Sequence, residues 1–185
     1  YQANEIEIKF DEYVKLDNPR QQIIISPPLA YKPNITPQSV PSKEFSIEVP
    51  RDSLLENTTY TINFGTSITD NNEGNVLPYF KYVFSTGNEL DSLQLSGQVF
   101  DAFNRVPDKT ISVMLHRLDS SYTDSTVFKK PPTYIAYTDS ASAFTIENIK
   151  AGQYKLFAIK DANANYKFDA DTDKIGFLDD TISIP

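Results

Sequence analysis

The chain has 185 residues, 39% of them hydrophobic and 23% charged, with a formal net charge of −8. This is globular composition, long enough for one domain or two small ones, and so negative a surface argues against nucleic acid or anionic lipid as a direct partner. With no cysteine there is no disulfide, thiol nucleophile or Cys-ligated zinc, and no apolar run approaches the ~18 residues of a membrane span.

The opening "NEIEIKFDEYV" alternates from Glu5 to Phe10. Ile6, Ile8 and Phe10 point one way, Glu5, Glu7 and Lys9 the other, which is the period of a half-buried strand. The rhythm returns in "RQQIIISPP", "KEFSIEVP", "TTYTINFG" and "FKYVFSTG". Between these runs, "LDNP", "PPLAYKPNITPQSVP" and "TDNNEGN" carry the Pro, Asn, Asp and Gly that end strands. "PRDSLLENTTY" reads as a single helical turn capped by Asp52 or Ser53. After Phe84 a polar joint, with its break near residues 88–92, leads to a second series: "LQLSGQVFD", "TISVMLHRLD", "PTYIAYTD", "AFTIENI", "QYKLFAIKD" and "KIGFLDDTISIP". The pattern predicts an all-β chain of two tandem antiparallel β-sandwiches, over residues 1–88 and 93–185.

Candidate chemistry gathers in "KDANANYKFDADTDK", residues 160–174. Calcium takes roughly six to eight oxygens from a flexible loop. Counting from Asp161, Asn163 falls third, Asn165 fifth, the Lys167 carbonyl seventh and Asp169 ninth in a calcium-loop spacing. The twelfth position, normally a bidentate Glu, is Thr172, so closure falls to Asp173 one place later; the sixth, normally Gly, is Tyr166. Two readings fit: a structural calcium site, or a solvated turn whose Asn and Asp side chains bond their own backbone.

Three other features carry a chemical and a plain reading. Asp70, Asn72 and Glu73 in "TDNNEGN" could face a cation, but Gly74 beside them favours a hairpin turn. His116, the sole histidine, alternates with Met114 and Leu118 on a strand and has no nucleophile motif, so it reads as a packing or surface residue. The insertion "DSSYTDSTVFKKPP", residues 119–132, offers Tyr122, Phe128, Lys129 and Lys130 for binding, or is a mobile hairpin tip. With no Trp, the eleven Tyr and twelve Phe read as core rather than as a sugar-stacking platform. The acid pair Asp11 and Glu12 shows no sign of a glycosidase cleft.

On "IEIKFDEYV", "IIISPP", "TTYTINFGTSITDNNEGN" and "YVFSTG", residues 4–87 resemble bacterial Ig-like domains of S-layer and surface lipoproteins. That resemblance implies a missing first strand, and hence a fragment of a longer protein. On "LSGQVFDA", "ISVMLHRL" and "YTDSASAFTIENIKAGQYKLFAIKD", the second half is similar to prealbumin-like, carboxypeptidase-regulatory-type sandwiches and collagen-adhesin B-type modules. Adhesin B-type repeats carry a comparable acidic loop on a sandwich, which implies Asp161, Asn163, Asn165, Lys167, Asp169 and Asp173 as calcium ligands here. Where the prealbumin-like pattern places Gly, this chain has Ser142, so that turn needs another conformation or strain. The tandem resembles surface lipoproteins of Bacteroidetes-type bacteria.

The resemblances imply a non-enzymatic pair of modules in the cell envelope, periplasmic or on the outer surface. The work expected is spacing, presentation or adhesion, with a protein or glycan at the cell surface as partner. Membrane attachment would come only through a lipid anchor outside this segment. The alternative is a glycan- or protein-binding module that uses the 119–132 loop.

Overall fold

The computed structural model describes residues 4–31, 33–38, 40–108 and 110–185. The chain divides into two compact units, Tyr1–Ile25 with Leu29–Leu90, and Ser26–Pro28 with Asp91–Pro185. Both are built of antiparallel strands, and the only α-helical segments among the described residues are single turns.

The strands of the first unit are β1 (Glu5–Leu16), β2 (Ile24–Ser26, of which the division leaves Ser26 to the second unit), β3 (Ile35–Thr36), β4 (Ser42–Glu48), β5 (Thr59–Asn63), β6 (Ile68–Asp70) and β7 (Lys81–Ser85). They form one sheet in the order β3-β4-β1-β6 and a second in the order β2-β5-β7. β1 spans the first sheet. Its front half pairs with β4, the register shifts between Lys9 and Val14, and Val14–Leu16 then pair with β6. The alternation of the opening strand survives this irregularity: Ile6, Ile8, Val14 and Leu16 all enter the core, with Phe10 packed at its margin. Phe45, Ile47 and Ile68 join from the same sheet, and Tyr60, Ile62 and Phe84 from the other, so the core lies between two layers.

Two local expectations are corrected. Arg20, Gln21 and Gln22, read as the start of a strand, form the helical turn α1 (Pro19–Gln22), with Pro19 at its first position and a left-handed Asn18 before it. Proline lacks only an amide that such a position leaves unbonded anyway, so the turn starts there at no cost. The predicted turn after Pro50 is a short 3-10 segment, Arg51–Ser53, whose cap position is Pro50 itself rather than Asp52 or Ser53. Ser53 Oγ instead donates back to the Pro50 carbonyl at 2.6 Å.

The second unit comprises β8 (Leu93–Gln98), β9 (Ser112–Arg117), the helical turn α2 (Thr126–Lys129), β10 (Tyr134–Tyr137), β11 (Ala143–Ile149), β12 (Gly152–Lys160), β13 (Lys174–Phe177) and β14 (Ile182–Ile184). β9, β12 and their neighbours form a five-stranded sheet, β10-β9-β12-β13, with β14 paired to the start of β12 beside β13. The run "KIGFLDDTISIP", read as one strand, is therefore two strands on one partner, broken at the bend around Asp179 and Asp180. β8 and β11 make a two-stranded sheet opposite. Val113, Leu115, Tyr134, Ala136, Tyr154 and Ile184 meet Phe144, Ile146 and Ile149 between the layers.

Ser142 takes the left-handed conformation that the sequence makes awkward, with φ of 60°, and it is fully buried. A non-glycine residue gives up about 1–2 kcal/mol there. The side chain that creates the strain also offsets it. Ser142 Oγ accepts the Asp108 amide at 2.7 Å and donates to the Asp108 carbonyl at 3.2 Å, which satisfies a chain crossing that glycine would leave bare.

Gly97 is held by packing instead. A Cβ there would lie 2.8 Å from the ring of Phe144, its cross-strand partner. Gly97→Ala is expected to lower stability by about 1–3 kcal/mol through overpacking, measured as a lower denaturation midpoint in urea with an unchanged slope.

Candidate metal centre

The acidic loop leaves β12 after Lys160 and rejoins the sheet at Lys174 in β13. Within it, Asp161 Oδ1 accepts the Asn165 amide at 3.3 Å and Oδ2 the Tyr166 amide at 2.8 Å. Asp169 Oδ2 accepts both side-chain amides, from Asn163 at 3.2 Å and from Asn165 at 2.7 Å. Asp173 accepts the Ala162 amide and the Thr172 hydroxyl on Oδ1 and the Asp169 amide on Oδ2. Burial alone would raise the Asp173 carboxyl, but these donors hold it below its usual value.

Five of the six predicted ligands thus belong to one hydrogen-bonded network. Lys167 joins through its own N–H, donated to Asn165 Oδ1 at 2.9 Å. Among the described residues no three His, Asp or Glu side chains form a metal-holding group. The donor chemistry nevertheless suits a hard cation: carboxylates, side-chain amides and a main-chain carbonyl on one loop. An amide carries an oxygen and an NH2 of nearly equal size, so Asn163 and Asn165 can present either to the same place. As the loop stands, both turn NH2 toward Asp169.

Tyr166, at the position where a calcium loop usually has Gly, is left-handed with φ of 61°. Its hydroxyl is hydrogen-bonded to Tyr137, and burial raises the pKa of both phenols, the shared bond adding to the shift at Tyr137. Tyr137 alternates with the core residue Ala136, so it stands on the face of the sheet turned away from the core. The loop therefore folds over that outer face. The Phe168 amide donates to the Val127 carbonyl at 2.9 Å, and the Phe168 ring packs on Phe128 at 5.3 Å between centroids.

That tie decides the character of residues 119–132. They are not a free hairpin tip: Thr126 and Val127 are buried, and Thr126 Oγ1 accepts the Thr123 amide at 2.9 Å. Phe128 and Lys129 lie on α2 and Lys130 at its end, with Phe128 still 49% exposed. Tyr122 belongs to the preceding turn, half-buried, its amide bonded to the Asp119 carbonyl.

His116 stands on the same outer face as Met114, because Val113 and Leu115 face the core. It is only 3% exposed, its ring sits edge-on to Phe157, and its Nε2 has no hydrogen-bond partner. Its cross-strand neighbour is Lys155 and its chain neighbour is Arg117, both cationic. It packs the sheet. Asp70 is likewise a structural group: it accepts the Asn72 amide at 3.0 Å and the Glu73 amide at 2.6 Å, and these bonds lower its pKa. Its charge, with those of Asp11 and Glu73, raises the carboxyl of Glu12, a proximity across 58 positions that no local pattern announces.

Residues 1–86 match the model of a known family, described as the bacterial Ig-like domain. The first unit carries that match. No curated protein matches the chain. Among solved structures, the major pilin subunit of Bacillus cereus is similar at 15% identity and a TM-score of 0.28, over 96% of this chain. The chain spans 58% of that pilin's length, and so loose a superposition carries no argument.

Burial holds the His116 pKa down to about 4, against an ordinary value near 6.5. Between these two values the unfolded chain binds the proton and the folded one does not, so stability is complete above about pH 6.5 and declines as pH falls toward 4. The full loss is about 3 kcal/mol, and His116→Leu is expected to flatten this window in thermal melts taken from pH 7 to 4.

Proposed function

We propose that this chain is a non-catalytic part of an exported bacterial protein of the cell envelope, either periplasmic or on the outer surface. In this reading an Ig-like module is followed by a prealbumin-like one, as in surface lipoproteins, and any membrane attachment is a lipid anchor elsewhere in the protein. Its work is spacing and presentation or adhesion. The observation that carries the reading is that each unit closes its own apolar core between antiparallel sheets, while carboxylates such as Asp70 and Asp161 are engaged by amides of their own loops. Such units transmit position without a reacting cleft. A second reading, recognition of a surface glycan or protein by Tyr122, Phe128, Lys129 and Lys130, draws on Phe128, half exposed and followed by two lysines. On a glycan array the spacing role predicts no binding. Binding that Phe128→Ala abolishes would replace it with recognition.

The acidic loop is the second part of the proposal: a structural calcium site. The carboxylates of Asp161, Asp169 and Asp173, the amide oxygens of Asn163 and Asn165 and the Lys167 carbonyl would hold the ion. The cation would take over the neutralisation that N–H groups now perform, and would pin the connection between β12 and β13. At a calcium concentration about a hundredfold above Kd the folded state gains about 2.7 kcal/mol. The thermal midpoint should therefore rise by several degrees over that in chelator, and Asp169→Asn should erase the difference. Equal midpoints for the unaltered chain would eliminate the site.

A further inference from the structure

The two edges of the five-stranded sheet are finished differently. At one, β10 is almost wholly buried: Tyr134, Ile135 and Ala136 are all covered. At the other, β13 pairs with β12 alone among the described strands, and Phe177 and Leu178 are 63% and 47% exposed. An uncovered edge offers unpaired N–H and C=O groups to another strand. Which residues offer them follows from the ladder. The Leu178 amide donates to the Leu156 carbonyl, so Leu178, Gly176 and Lys174 turn their backbone groups toward β12. Ile175 and Phe177 turn theirs outward.

We infer that this edge joins two copies of the chain, with β13 of each pairing antiparallel to β13 of the other about a two-fold axis at Phe177. In that register the outward groups of the two Phe177 residues bond each other, as a hydrogen-bonded antiparallel pair requires. The neighbouring pairs then fit by size and charge. Leu178 of the second copy stands opposite Gly176, where a Cβ would meet nothing within 4 Å. Asp180 of the second copy, in the bend that follows its strand, comes to the end of the pair that Lys174 occupies. Because the pairing is symmetric, each of these contacts occurs twice.

Two other registers also match outward groups: one centred on Gly176 sets Lys174 against Leu178 and Asp173 against Asp179, and one centred on Ile175 sets Phe177 against Asp173 and Asp171 against Asp179. Like charges face each other in both, so the charges select the register at Phe177. Lys174 and Asp180 also explain why the edge does not recruit strands at random: both flank it with charge that only an oppositely oriented copy neutralises.

The contact is short, well under the ~1,200 Å² of a lasting interface, so the dimer is weak and forms between ~10 µM and ~1 mM. Sedimentation velocity of the 185-residue chain over that range is expected to show the weight-average coefficient rising toward that of a dimer and no further. Lys174→Asp and Asp180→Lys, which set like charges face to face twice, should each weaken association about tenfold. The double variant, which restores opposite charges, should associate as the original does. All these side chains are exposed, and an unchanged thermal midpoint will show that each variant is folded. A coefficient that stays constant to ~1 mM, single variants that associate normally, a double variant that stays weak, or species larger than a dimer would each overturn the pairing.

Discussion

A β-sheet with apolar side chains on both faces must be covered twice, and the five-stranded sheet of the second unit is such a sheet. β9 is buried through five of its six positions. One face is closed by β8 and β11 in the ordinary way of a sandwich. The other leaves Met114, Ile135 and Ile159 to be hidden from water, at roughly 1.5–3 kcal/mol for each such side chain. This second requirement accounts for what would otherwise be unrelated features. Residues 119–132 fold back rather than project. Tyr166 accepts a left-handed backbone because its ring and hydroxyl are used on that face. His116 is tolerated neutral and unpaired, because the face needs bulk more than it needs a donor.

The first unit meets the simpler requirement of one shared core. β1 does most of the organising, since it pairs with β4 and then with β6 and so ties the first sheet together along one strand. The aromatic contacts follow the same economy. Phe10 meets Phe45 edge-on, and Phe80, at the margin of the core, lies 5.3 Å between ring centroids from the buried Phe64. The polar cluster at Asp70 closes the turn after β6, where its carboxylate replaces the backbone carbonyls that the bending chain has turned away.

The strands were legible because a half-buried strand writes its face into every second residue. Ile6 and Ile8, Phe45 and Ile47, and Tyr60 and Ile62 all go where that period sends them. Ser142 was legible as a conflict, though not its resolution, because the Asp108 backbone that its hydroxyl satisfies lies 34 positions away. What failed was local and short. A helical turn begun by Pro19 has too few residues to show a period, and a bend at Asp179 and Asp180 divides a run that alternates on both sides of it. The spacing of the oxygen-bearing residues in the acidic loop could be counted, and so could the Tyr166 that stands where such a loop usually has Gly; that Tyr166 adopts the left-handed conformation itself is what the structure adds. Nor could the loop's attachment to Val127, Phe128 and Tyr137 be read, because contacts between distant loops leave no periodic trace. The double burial of β9 was hidden for the same reason, since periodicity shows one apolar face and not what lies over the other.

The bond from the Phe168 amide to the Val127 carbonyl, with the Phe128–Phe168 ring contact beside it, joins two loops distant along the chain. Ordering either removes conformational freedom that the other would otherwise have to surrender. Any ligand that tightens residues 161–173 therefore lowers the entropic cost of fixing Phe128 and its neighbours. By reciprocity, a partner gripping Phe128 would raise by the same factor the affinity of any ligand that tightens the acidic loop.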